Sequence, residues 1–193
     1  LQEFLGRFLP LSGEDFAILK KKSAVVHIRK KDIITDAGDI ELYLYFVVKG
    51  LIREYFYKGS QQVTTDLISE GTITGSVTSF FTGAPSHYCL QAMEPCSLVA
   101  IHKGALEELY RSNRSWEKFG RIITTHFLLQ QEKQILSSTR LSPRERFLHF
   151  VAEYNHLVQR VPQKYLASLL PITADTFSLL HPLLRNNHKT HTA

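Results

Sequence analysis

Between Gly71 and Cys89 the chain carries no Asp, Glu, Lys or Arg, although "GTITGSVTSFFTGAPSHYC" has the glycine spacing of a loop that receives an anion. Side-chain charge therefore cannot hold a ligand there. Only backbone N–H groups, hydroxyls and His87 remain as donors. Cysteine is scarce too: Cys89 and Cys96 are the only two, with no C-x-x-C, which excludes zinc and iron–sulfur sets and a disulfide framework. Both read as small buried apolar residues. Apolar runs are short and broken by charge, which excludes a transmembrane span, and "LQEFLGRFLPLSGED" lacks the sections of a signal peptide. The expected location is the cytoplasm. The nine histidines show no H-x-H with a distant Glu, which disfavours a metal-dependent β-roll enzyme. No P-loop, Ser/His/Asp order or supported carboxylate pair is present. No catalytic residue, metal ligand or cofactor is assigned.

What is present suits a chain of two parts. At 193 residues and 44% apolar it can bury a core and carry a small second domain. Of the net charge of +5, +4 lies in residues 140–193, where seven Lys/Arg face three acids, so a near-neutral front precedes a segment suited to a polyanion. From Ala24 to His102, "AVVHI", "YLYFVV", "LIREYFY", "QVTTDLI", "YCLQAM" and "SLVAI" are β-like, bounded by Gly38, Gly50, Gly59, Gly71, Gly75 and Gly83. Short strands turning at glycines predict a sandwich or a rolled barrel.

After His102 the apolar period becomes helical. "KGALEELYRSN" predicts a short helix and Ser115 to Ser137 a long one, with apolar residues on more than one face. One face would cover the roll and another would meet a second copy along Phe119, Ile122, Ile123, His126 and Gln130. Ser142 before Pro143 starts a docked helix whose apolar face comprises Phe147, Leu148, Phe150, Val151 and Tyr154. "VPQKYLASLLPITADTFSLL" then gives two short helices, from Pro162 to Leu169 and from Thr173 on, around a tight turn, the pattern of a helix-turn-helix.

This order of parts, with "EGTITGSVTSFFTGAPSHY", "SPRERF" and "VPQKYLAS", resembles the cyclic-AMP receptor protein and fumarate-nitrate reductase regulator family from about Leu11 to Leu184. The resemblance implies an α+β fold: an N-terminal β-roll (double-stranded β-helix, jelly-roll-like), a long dimerisation helix, and a C-terminal helix-turn-helix, winged-helix-like and open to truncation. The corresponding division is 1–111, 112–139 and 140–193. It implies a homodimeric transcription regulator with a cyclic-nucleotide-binding-type domain. Both functional sites depart from the family's pattern. Where members that bind cyclic AMP carry a Gly-Glu pair and a phosphate-binding arginine, this chain has Gly75-Ser76 and Pro85-Ser86. A serine cannot give a phosphate the paired charge-assisted bonds of arginine. The degenerate ligand site would comprise Gly75, Ser76, Val77, Pro85, Ser86 and His87, for a small-molecule effector of unknown identity, or it would be inert, with Phe80 and Phe81 filling it.

DNA would be met by Gln163, Lys164, Thr173, Asp175, Thr176 and Ser178. Ala174 and Leu179 stand where readers of guanine carry arginine or another polar contact. Pro171 replaces the usual turn glycine, and Pro182 should kink or stop the reading helix near Leu180. The expected function is a transcription regulator that does not answer cyclic AMP. The alternative is an interaction protein that keeps the fold and the dimer without sequence-specific DNA binding.

Overall fold

The computed structural model describes residues 12–170 and Ile172. The chain divides after Phe127 into two compact units. Among the described residues the first begins with helix α1, Gly13–Lys22, which the apolar pattern does not announce. Its start is a capping box: Ser12 Oγ accepts the Asp15 N–H at 3.0 Å, and the Asp15 carboxylate accepts the Ser12 N–H at 3.3 Å. Glu14 and Asp15 in the first turn and Lys20, Lys21 and Lys22 in the last complement the helix dipole.

Eight strands follow: β1 Ser23–Ile28, β2 Ile33–Thr35, β3 Tyr43–Lys49, β4 Ile52–Lys58, β5 Gln61–Ile68, β6 Ile73–Thr74, β7 Cys89–Ala92 and β8 Cys96–His102. They form two antiparallel sheets of four, ordered β1-β8-β3-β6 and β2-β7-β4-β5. Alternation fixes the inner faces: Tyr45 and Val47, Ile52, Ile68, Leu90 and Ala92, and Cys96, Leu98 and Ala100 share one buried cluster. Each large side chain so buried contributes about 1.5–3 kcal/mol. At Gly50 φ is +108°, and a Cβ there would lie 2.6 Å from Cys96 Sγ and 2.9 Å from the Pro95 carbonyl oxygen. Position 50 of the β3–β4 turn is therefore closed to every side chain.

The outer face of the first sheet is covered by helices. Helix α2, Val77–Thr82, ends at Gly83 with φ 75°, a left-handed cap. Helix α3, Lys103–Ser112, is capped by His102, whose Nδ1 accepts the Gly104 N–H at 3.1 Å. Helix α4, Arg114–Arg140, buries Trp116, Phe119 and Ile123 with Leu19 and Leu109. Leu44, Phe80 and Leu106 form a neighbouring cluster.

In the second unit, residues 128–140 of α4 precede α5, Pro143–Val158, and α6, Gln163–Leu169. Ser142 and Glu145 make a second capping box, and the Arg146 guanidinium donates to the Ser138 and Leu141 carbonyls at 2.9 and 3.1 Å. Those bonds satisfy carbonyls at the end of α4. The apolar face of α5 differs from the expected one. Phe147 and Val151 are buried and Phe150 is half-buried, but Leu148 and Tyr154 are exposed and Leu157 takes an inner place. A kink at Tyr154 (φ −122°, ψ 34°) shifts the phase of the helix beyond it and accounts for Tyr154 and Leu157, whereas Leu148, before the kink, lies about 100° round the helix from Phe147. The second helix of the expected helix-turn-helix, from Thr173, lies outside the described residues.

Candidate functional site

The charge-free loop packs against the connection between β2 and β3. Two backbone bonds join them: Gly38 N–H to the Ser86 carbonyl and Ser86 N–H to the Asp39 carbonyl, both 2.8 Å. Of the six residues expected to form the ligand site, Gly75, Ser76 and Ser86 are buried and converge, Val77 is half-buried beside them, and Pro85 and His87 lie exposed. Ser86 Oγ is 2.7 Å from both Ser76 Oγ and the Tyr88 carbonyl oxygen. One hydroxyl proton cannot serve both, so the Ser76 hydroxyl completes the pair by donating to Ser86. A Cβ at Gly75 would meet the Tyr43 carbonyl oxygen at 3.0 Å, so the backbone lies close against β3.

Sequence reasoning missed the residue at the centre of this arrangement, Glu41, which is only 3% exposed. Its Oε2 accepts the Thr35 hydroxyl at 2.6 Å and the Ser76 N–H at 3.3 Å, and its Oε1 accepts the Tyr43 N–H at 3.0 Å. Its own N–H donates to Ser79 Oγ at 2.9 Å. Its one local sign, an acid just before the apolar run "LYLYFVV", does not by itself mark a buried side chain.

The expectation that Phe80 and Phe81 would fill the loop's pocket is corrected. Phe80 is 2% exposed but packs with Leu44 and Leu106, whereas Phe81 is 43% exposed. Adjacent residues on α2 point about 100° apart, so one ring meets the outer cluster and the other faces solvent.

A second group of carboxylates lies on the inner face of the roll. Glu54 and Asp66 are cross-strand partners on β4 and β5, two residues along from the buried pair Ile52 and Ile68, and Glu54 also faces Leu90 on β7. Burial, then the Asp66 charge, pushes the Glu54 carboxyl up to about 7, against the lowering effect of the 2.8 Å bond from the Thr65 hydroxyl. Burial also raises Asp66. On the opposite face of β4, the Arg53 guanidinium stacks 4.0 Å from the Tyr55 ring centroid and donates to Gln62 and Gln91 at 2.8 Å each. The guanidinium is thus engaged on the far side of the sheet from the carboxylates. The thiols of Cys89 and Cys96 are buried, and burial raises both pKa values.

Of the residues expected along the dimer seam, Phe119 and Ile123 are buried within the chain's own first unit, with Ile122 packed against the same cluster. His126 is half-buried and Gln130 exposed. Farther along α4, Leu128, Leu129, Ile135 and Leu136 are 68, 53, 59 and 41% exposed. Gln163 and Lys164 stand exposed at the start of α6, while Thr173, Asp175, Thr176 and Ser178 lie outside the described residues. Among the described residues no three His, Cys, Asp or Glu group as a metal site, and no helix is long and apolar enough to cross a membrane.

Residues 25–113 match the family described as the cyclic nucleotide-binding domain. A curated relative, patatin-like phospholipase domain-containing protein 7 of Rattus norvegicus, is 26% identical over 100 residues, 51% of this chain. The chain spans about 7% of that relative's length. Among solved structures, FixK2 from Bradyrhizobium japonicum is similar with a TM-score of 0.72 and 18% identity, covering 86% of each chain. CLP of Xanthomonas campestris, described as a c-di-GMP responsive global regulator, has a TM-score of 0.70 and 16% identity over 94% of this chain and 96% of its own. The fold is one that cyclic-AMP receptor and fumarate-nitrate reductase type regulators share, an antiparallel roll with attached helices.

Proposed function

We propose that the chain is a DNA-binding transcription regulator of the cyclic-AMP receptor type whose effector loop does not respond to cyclic AMP. Residues 1–111 form the sensing half, 112–139 the dimer helix and 140–193 the DNA-facing part of a cytoplasmic homodimer. The observation that carries the reading is the likeness to regulator folds over most of the chain, combined with a loop that offers a phosphate no charged donor. The residues proposed to meet the effector are Gly75, Ser76, Val77, Pro85, Ser86 and His87. Those proposed to meet DNA are Gln163, Lys164, Thr173, Asp175, Thr176 and Ser178. The dimer face moves along α4 to Leu128, Leu129, Ile135 and Leu136, because Phe119 and Ile123 are already buried in their own chain.

With no arginine in the reading segment 173–180, DNA affinity rests on phosphate contacts and falls steeply with salt. Selection from a random duplex library, followed by fluorescence anisotropy across a salt series, tests this. The expected outcome is binding at low salt with little sequence preference. An enriched palindrome bound with nanomolar affinity near physiological salt refutes the loss of base reading. Absence of binding at every salt concentration favours the second reading, an interaction protein that keeps the fold and the dimer. Ala174 and Leu179 support that alternative.

A further inference from the structure

Residue 41 bonds to the charge-free loop twice: its carboxylate accepts the Ser76 N–H, and its N–H donates to Ser79 one helical turn later. The same carboxylate oxygen accepts the hydroxyl of Thr35 on β2, and the other oxygen accepts the first N–H of β3. One buried side chain therefore ties α2, β2 and β3 together. The backbone bonds between Ser86 and the Gly38–Asp39 turn close the other end of the loop. Burial, followed by the Glu41 charge, pushes the neighbouring Tyr45 phenol up.

We infer that Glu41 is a built-in latch, a resident carboxylate that holds residues 75–80, the first part of the loop, in place without any bound effector. The inference deepens the proposed function and rests on it only for the name of the loop. A free anion entering beside Ser76 would meet a fixed carboxylate in a poorly solvated place, where like charges repel strongly. Thr35, Tyr43 and Ser76 supply that carboxylate's donors, so the loop needs no ligand to satisfy them. The arrangement of this loop is thus held by the chain itself and does not vary with the concentration of a phosphate-bearing molecule.

The test is hydrogen exchange, followed by mass spectrometry, on the full chain and its variants, with and without millimolar cyclic AMP or inorganic phosphate. It needs no DNA, so failure to bind DNA leaves its result intact. In the unmodified protein, peptides covering 72–88 should be protected to the same degree with and without either additive. Glu41→Ala should speed exchange across 75–80 by on the order of tenfold to a hundredfold, the loss of a charged hydrogen-bond acceptor, while peptides from β8 stay protected. Glu41→Gln keeps the shape without the charge and should fall between the two. If Glu41→Ala does not fold, Thr35→Val, which removes one donor to the latch, should speed exchange over 75–80 by a smaller factor. Unchanged exchange in every folded variant overturns the inference. So does a loop in the unmodified protein that becomes more protected when cyclic AMP or phosphate is added.

Discussion

Replacing Glu54 with glutamine should stabilise the protein at neutral and alkaline pH. In the folded chain this carboxyl is pushed from the ordinary 4.5 to about 7. The folded state therefore holds the proton more tightly than the unfolded chain, and stability falls as pH rises from 4.5 toward 7. At about 1.36 kcal/mol per pH unit, full ionisation costs the fold about 3 kcal/mol. Glutamine fills nearly the same volume and can still accept the Thr65 hydroxyl that now bonds Glu54 at 2.8 Å. It carries no charge opposite Asp66. The assay is urea unfolding of both proteins, one set buffered below 4.5 and another well above 7. In the acid set the two midpoints should nearly coincide. In the alkaline set Glu54→Gln should be more stable by up to about 3 kcal/mol, less whatever relaxation of the roll recovers in the unmodified protein. Asp66, also raised, keeps a pH slope of its own in both proteins. A variant no more stable than the unmodified chain above neutrality would refute the reasoning, because the carboxylate would then not be destabilised where it sits.

Ile135→Glu should release monomers, seen by light scattering at tens of micromolar, because Ile135 is 59% exposed and its change leaves the chain's own core intact. Ile123→Glu should instead unfold the first unit, since Ile123 is 4% exposed, and circular dichroism separates the two outcomes. Gly50→Ala should lower stability by at least about 2 kcal/mol in thermal unfolding, as strain at positive φ adds to a contact of 2.6 Å with Cys96 Sγ. Ser142→Ala should cost about 1 kcal/mol in urea unfolding, through loss of one half of a capping box. Cyclic AMP should bind no tighter than about 100 μM by isothermal titration, two charge-assisted contacts being absent from its loop.

The roll was legible because its glycines and alternating runs report locally on structure. Tyr45 and Val47, or Leu98 and Ala100, show their shared face within a few residues of sequence. β2 and β6, with three and two residues, are too short for a period to register. Helix α1 reads as "GEDFAILKKK", half of it charged, and Leu19 is its one buried residue; its sign was Ser12 three residues before Asp15. Glu41 was illegible for a different reason. Its neighbours Ile40 and Leu42 are exposed, and what buries it is a loop 35 residues away that no local pattern announces. Glu54 lay within reach of alternation, since Ile52 faces inward and the next residue but one shares its face, yet the bulge at Glu54–Tyr55 interrupts the pattern there. The kink at Tyr154 is a backbone event, so the stripe drawn from Phe147 was displaced from Tyr154 onward.

Where α3 passes α4, a Cβ at Gly120 would lie 2.6 Å from the Tyr110 hydroxyl oxygen and 2.7 Å from its Cζ. Only a residue with no side chain can face that ring. Turning α4 by one residue, about 100°, would bring Phe119 or Arg121 to a place with room for a hydrogen atom. The first turns of α4 therefore act like a keyed shaft, in which Tyr110 is the key and Gly120 the slot. Rotation about the helix axis is blocked while the ring stays in place. Sliding by a full turn would set Ile123 or Thr124 against the tyrosine, and the ring would have to lift out of the apolar cluster first. Any displacement of this part of α4 should then occur in steps, each gated by one aromatic side chain.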